Sequence, residues 1–131
     1  MNIIHVSGKR KRAIARATLR PGKGTITINN KHLDAYQPPI ARLKIREPLI
    51  LAGSHVDKVD IFVRVAGGGI MSQAEAVRLA IAKSLVQHTP SLKKVFIDYD
   101  RNLLVADVRR KEPAKPNSHG KARAKRQKSY R

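Results

Sequence analysis

The sequence predicts an α+β domain: a mostly antiparallel sheet with helices packed on one face over residues 1–108, then a long basic C-terminal tail over 109–131. Three observations lead there. Apolar residues alternate at every second position in several short runs, the period of a half-buried strand. One long run, IMSQAEAVRLAIAKSLVQH, repeats its apolar residues at helical spacing instead. The composition then breaks near Asp107, beyond which almost nothing can be buried.

In order, NIIHVS and RAIARATLR read as strands. In the second, Arg12, Ile14, Arg16, Thr18 and Arg20 share one face, and Ala13, Ala15, Ala17 and Leu19 the other. PGKG at 21–24 is a turn signal and TITIN alternates after it, so an antiparallel hairpin is expected between these strands. Residues 39–46 carry no decisive pattern. REPLILAG predicts a short helix with Pro48 in its first turn and Gly53 at its end. KVDIFVRVAG is the clearest strand, with Val59, Ile61, Val63 and Val65 on one side and Asp60, Phe62 and Arg64 on the other. Phe62, Phe96 and Tyr99 are expected in the core. After Gly67, Gly68 and Gly69 comes the long helix. Ser72 and Glu75 have capping-box spacing, Ala74, Val77, Ile81 and Leu85 form its apolar stripe, and Pro90 closes it. In SLKKVFIDYD, Leu92, Val95, Phe96 and Tyr99 fall at i, i+3, i+4 and i+7, which predicts a short helix. LLVADV reads as a short strand or an extended exit.

Charge narrows the function. Lys and Arg number 28 against nine acids, a net of +19, which opposes compaction and implies a polyanionic partner. Nucleic acid is the first candidate and an anionic membrane surface the second. The tail alone holds ten Lys or Arg and one acid, Glu112, a net of +9. The apolar runs are too short to span a membrane, and in MNIIHVSGKRKR the charges follow the apolar run rather than precede it, unlike a signal peptide. A cytoplasmic protein is expected. Without cysteine, there are no disulfides, cysteine zinc sites or thiol catalysis. The five histidines, at 5, 32, 55, 88 and 119, have no metal-ligand spacing. Asp57 with Asp60 and Asp98 with Asp100 read as salt-bridging acids. No GxSxG element occurs, and no Walker lysine follows the glycines. No catalytic residue, cofactor, metal or small-molecule substrate is expected.

Two segments suit phosphate. Lys9, Arg10, Lys11 and Arg12 form an unbroken cationic run, which Arg16 and Arg20 continue at alternate strand positions. In VAGGGIMSQAEA, the backbone N–H groups of Gly67, Gly68 and Gly69 at a helix start could cradle a phosphate, though a tight turn without a ligand is the plain alternative. Two Phe and three Tyr in the whole chain leave little to stack on bases, so binding of folded RNA by backbone and shape is expected.

Three segments together, GKRKRAIARATLRPGKGTITINNK, VAGGGIMSQAEAVRLAIAKSLV and the terminal AKRQKSYR, resemble the universal small-subunit ribosomal protein S-nine family over nearly the full length. The ending resembles the archaeal and eukaryotic branch, and the length favours the archaeal. The resemblance implies a fold similar to the second domain of ribosomal protein S-five, with a left-handed βαβ crossover. It also implies a place on the ribosomal RNA of the small-subunit head, among neighbouring head proteins. Along the tail it assigns RNA contacts to Arg109, Arg110, Lys111, Lys115, Lys121, Arg123, Lys125 and Arg126. The tip, Lys128, Ser129, Tyr130 and Arg131, would touch the anticodon stem-loop of the P-site tRNA. The Asp-Pro pair that often precedes the family's tail is absent, since Val108 follows Asp107, which predicts a looser exit turn. A DNA-compacting basic protein and a small phosphotransferase built on Gly67–Gly69 are the competing readings.

Overall fold

Five strands form one mixed sheet in the spatial order β1-β2-β5-β3-β4: β1 is Ile4–Arg10, β2 Ala13–Pro21, β3 Ile26–Ile28, β4 Lys31–His32 and β5 Val59–Ala66. The computed structural model describes residues 3–116, 120, 122 and 123. Three helices accompany the sheet: α1, Pro39–Ala52; α2, Ile70–His88; α3, Leu92–Tyr99. β1–β2, β2–β5 and β3–β4 pair antiparallel, while β3 runs parallel to β5. The expected mostly antiparallel sheet is thus a mixed one.

The alternation in β2 and β5 decides where the core lies. Ala13, Ala15, Ala17 and Leu19 of β2 and Val59, Ile61, Val63 and Val65 of β5 are all buried on one face. α2 lies over that face against β1, β2 and β5 and brings its stripe of Ala74, Val77, Ile81 and Leu85, each fully buried. α1 packs on α2 and contributes Ala41, Ile45 and Ala52; α3 contributes Leu92 and Phe96. The three alanines of β2 keep the helix layer close. The larger aliphatics supply the apolar area, roughly 1.5–3 kcal/mol for each one fully buried. Among the described residues, no helix lies on the opposite face of the sheet.

Several expectations are corrected. β2 and TITIN do not form a hairpin, because β5 lies between them. The PGKG segment instead wraps the start of β5, where Gly22 N–H donates to the Lys58 carbonyl and Gly24 N–H to that of Val59, both at 3.0 Å. Asp60 then accepts from the backbone N–H groups of Lys23 and Thr25 at 3.0 Å; these bonds, Thr25 first, draw its carboxyl below the usual range. Two other tight hairpins form. Lys11 and Arg12 turn β1 into β2, and Asn29 and Asn30, with φ of 50° and 67°, turn β3 into β4 as a primed turn requires.

The first helix begins at Pro39, a favoured first position, well ahead of REPLILAG, so Pro48 falls inside α1, where it is buried. Gly53 does end it. α2 starts at Ile70 behind Gly69 with no side-chain cap, so Ser72 and Glu75 form no capping box. Phe96 is fully buried, as expected. Phe62 and Tyr99 are not core residues: they are 42% and 55% exposed, Phe62 because it occupies the uncovered face of β5. LLVADV forms no strand; a 3-10 turn at Arg101–Leu103 buries Leu103, and residues 106–116 run on unpaired with any strand.

Candidate nucleic-acid interface

Strand register sorts the cationic run. β1 and β2 pair Arg10 with Ala13 and Lys9 with Ile14, so Arg10 lies on the helix side and Lys9 on the open side. Lys11, with φ of 53°, and Arg12 form the exposed turn. Arg10 is therefore an internal group. Its Nε lies 2.7 Å from Glu75 Oε2, its Nη1 donates to Asp107, and its side chain is 16% exposed. Glu75 also accepts from Lys44 at 3.1 Å.

Asp107 ties the exit of the chain to this cluster. It accepts from Arg109 through the backbone N–H at 2.9 Å and the guanidinium at 2.7 Å, as well as from Arg10. The Arg109 guanidinium and its backbone N–H, with Arg10, hold the Asp107 carboxyl well below the usual carboxylate range. The exit turn is thus pinned, not loose. Next to it, Arg78 lies 2.6 Å from Glu47 and 3.1 Å from Asp100. The Asn102 backbone N–H first, and then Arg78, lower the Asp100 carboxyl. Arg10, Lys44, Arg78 and Arg109 face Glu47, Glu75, Asp100 and Asp107, so this network balances its own charge.

Beyond the network the charge is not balanced. A groove of about 850 Å³ is lined by the Arg10–Arg12 segment, Gly68, Gly69, Ser72 and residues 109–114. It brings together three parts of the sequence that were separate candidates: the basic turn, the glycine loop and the root of the tail. Among the described residues, no carboxylate lies within ion-pair distance of the exposed Lys11, Arg12 or Lys111. Arg110 is exposed and donates to the Asp107 and Arg109 carbonyls at 2.7 and 2.9 Å. Glu112 is the groove's acid. It accepts from Arg123 and Lys115, which lower its carboxyl in that order. Lys121, Lys125, Arg126, Lys128, Ser129, Tyr130 and Arg131 lie outside the described residues.

The glycines have a reason inside the protein. Gly67 and Gly68 have φ of 81° and 69°. A Cβ on Gly67 would lie 2.6 Å from the Arg12 carbonyl oxygen, and one on Gly68 2.9 Å from the Ala13 nitrogen. The close approach is to the basic turn, which the two glycines seat. Gly69 differs: its φ is −93°, it precedes α2, and a Cβ there would meet nothing within 4 Å. Its backbone is the open part of the loop.

Arg16 and Arg20 are not in this groove. They stand on the open sheet face, with Arg64 directly opposite Arg16 and Arg20 above the Phe62 ring, 5.7 Å from its centroid. Residue-type reasoning missed Arg64, although its alternation already put it beside Phe62. It also missed Glu75, Lys44 and Asp107, whose partners are far away in sequence. Among the described residues no cluster of His, Asp or Glu could hold a metal, and no helix is long and apolar enough to cross a membrane.

Fold and surface together define a class: a small α+β domain with an internally neutral ionic hub and an unbalanced cationic groove at residues 109–114. The chain belongs to the ribosomal protein S9/S16 family, whose model matches residues 8–131. It is similar to the small ribosomal subunit protein uS9 of the archaeon Methanococcus maripaludis. Strains C7, S2 and C5 each give 49% identity over 134 positions, covering 100% of this chain and 100% of the relative. The family is a structural one, so the chain is a ribosomal protein and not an enzyme.

Proposed function

We propose that the chain is a structural constituent of the small ribosomal subunit in the cytoplasm and binds ribosomal RNA of the subunit head. The observation that carries this reading is the groove, in which Lys11, Arg12, Arg110 and Lys111 gather around the glycine loop, where the backbone of Gly69 is open. Phosphate-rich RNA supplies the anions this surface lacks, and backbone N–H groups at the start of α2 add partial positive charge. The residues from 109 onward extend the same surface, and Lys128, Ser129, Tyr130 and Arg131 reach the P-site tRNA. Arg131 suits that task, since its planar guanidinium fork presents five donors to phosphate. Neighbouring head proteins complete the surroundings. The βαβ unit made by β3, α1 and β5 supports a fold similar to the second domain of ribosomal protein S-five, with the left-handed crossover that likeness implies.

The test is salt dependence. Replacing Lys11, Arg12, Arg110 and Lys111 with Ala should weaken binding to small-subunit RNA and flatten its log–log salt slope by about 0.7–0.9 for each phosphate no longer neutralised. A lower affinity at unchanged slope would mean that these residues do not neutralise phosphate. Deleting Ser129–Arg131 should leave subunit sedimentation intact and speed tRNA dissociation from the P site. An unchanged dissociation rate would leave the tip without a role there.

A further inference from the structure

Unlike the groove, the open face of the sheet carries an aromatic. Register sets one row across all five strands: His5 pairs with Thr18, Thr18 with Phe62, Phe62 with Thr27, and Thr27 with His32. Phe62 is at its centre, 42% exposed, on a face no helix covers. In the next row Arg16 and Arg64 stand directly opposite each other, both exposed. Like charges so placed repel and destabilise the pair unless an anion lies between or above them. The acid on this face, Asp60, is already engaged by the Lys23 and Thr25 N–H groups. A cleft of about 250 Å³ opens here, lined by Thr18, Arg20, Thr27, Asn30, Phe62 and Arg64.

An exposed phenyl ring among arginines, with Thr and Asn at its edge, fits one chemical partner. The ring gives a stacking surface once the Arg20 guanidinium, 5.7 Å from its centroid, swings aside toward a phosphate, and Thr27 and Asn30, with the remaining capacity of the Thr18 hydroxyl that already bonds His5, offer donors and acceptors for a base edge. Arg16 and Arg64 complement the phosphates on either side. We propose that this face binds one unpaired RNA nucleotide, its base stacked on Phe62 and its phosphates on Arg16 and Arg64. A single aromatic provides a single stacking position, so this is a reader of one extruded nucleotide and not of a run. The proposal rests on RNA being the partner, and it places a second binding position apart from the groove.

The full chain is titrated with a short fluorescent oligouridylate and, separately, with a duplex RNA of the same length. Phe62→Ala and Phe62→Leu should each weaken oligouridylate binding about tenfold, the scale of one base–aromatic stack, while Phe62→Tyr retains it. Leucine keeps apolar bulk, so its loss of affinity isolates the ring. Duplex affinity should not change in any of the three. Arg16→Ala with Arg64→Ala should lower oligouridylate affinity and its salt slope. Ultraviolet crosslinking of purified subunits should attach a nucleotide to the peptide bearing Phe62. Unchanged oligouridylate affinity in Phe62→Ala, an equal loss for duplex, or a crosslink to protein would each overturn the proposal. The groove variant without Lys11, Arg12, Arg110 and Lys111 is measured in parallel. Its weakened duplex binding tests the groove reading on a separate readout, so either can fail alone.

Discussion

Gly68→Ala and Gly69→Ala should separate the fold from the binding surface, although they change neighbouring residues in one loop. At Gly68 the φ of 69° puts an alanine in the left-handed region, worth about 1–2 kcal/mol of strain. The new Cβ would also lie 2.9 Å from the Ala13 nitrogen and 3.1 Å from its Cβ, so the basic turn must move away. Overpacking of that kind costs about 1–3 kcal/mol. The stiffer unfolded chain returns about 0.4–1 kcal/mol. The net is a destabilisation of about 1–4.5 kcal/mol, a fall in melting temperature of roughly 5–15 °C for a chain this size. At Gly69 the backbone is extended and a Cβ has open space, so the weaker N-cap preference and the unfolded-state gain nearly cancel. That same methyl, however, projects where RNA backbone would approach. The assay is thermal melting by circular dichroism beside RNA affinity. Gly68→Ala should melt early. Gly69→Ala should melt with the parent and bind several-fold more weakly. Two equal melting temperatures would refute the claim that Gly68 is required by the turn. An unaltered affinity in Gly69→Ala would refute the claim that the open backbone meets a ligand.

The ionic hub and the core give further tests. Arg78→Met should be close to neutral, because Glu47 and Asp100 are exposed enough to be solvated alone; Glu47→Ala should cost about 1–2 kcal/mol by weakening the neutralisation of a guanidinium only 11% exposed, as urea unfolding would measure. Asp60, Asp100 and Asp107 have folded pKa values below their ordinary 3.8, so their stabilisation is present above that pH and lost as pH falls through the lowered values. Melting temperature should therefore be flat from neutrality to about pH 5 and drop below about pH 4; a drop already near pH 6 would refute the assignment to these carboxylates. Phe96→Ala, at a fully buried site in α3, should cost about 3–5 kcal/mol, whereas Phe62→Ala should melt nearly with the parent.

The elements themselves are largely legible in the sequence. Strand faces in β2 and β5 follow from strict alternation, and the α2 stripe from four residues at helical spacing, because a single buried face imposes each period. Adjacency is not legible. PGKG has turn residues and TITIN alternates, yet nothing local says that a later strand, starting at Val59, will take the place between β2 and β3. The first half of α1 is hard to see because its exposed Ile40 and Leu43 blur the helical pattern. For Phe62, residue type and phase disagree. Its apolar ring suggests the core, but Ile61 and Val63 on either side of it both face the helices, so Phe62 must face away. At the site, the cations are visible but their division is not. Register alone turns Arg10 inward and leaves Lys11 and Arg12 outside, and Asp107 has no local mark of its role.

The strand order has a consequence for the order of folding. β1–β2 and β3–β4 are each closed by a two-residue turn, so each is a local unit of the kind that can form on the microsecond scale. Neither can find the other, because they do not touch in the sheet; β5 pairs with both and is made only after α1. The sheet is therefore closed by its latest strand. Two early hairpins depend on one late insertion, and the loop closure that brings Val59–Ala66 back between them is expected to be the slow step. On a translating ribosome, the N-terminal half of this chain has no completed sheet until Ala66 has left the exit tunnel, and until then both hairpins expose an unpaired edge.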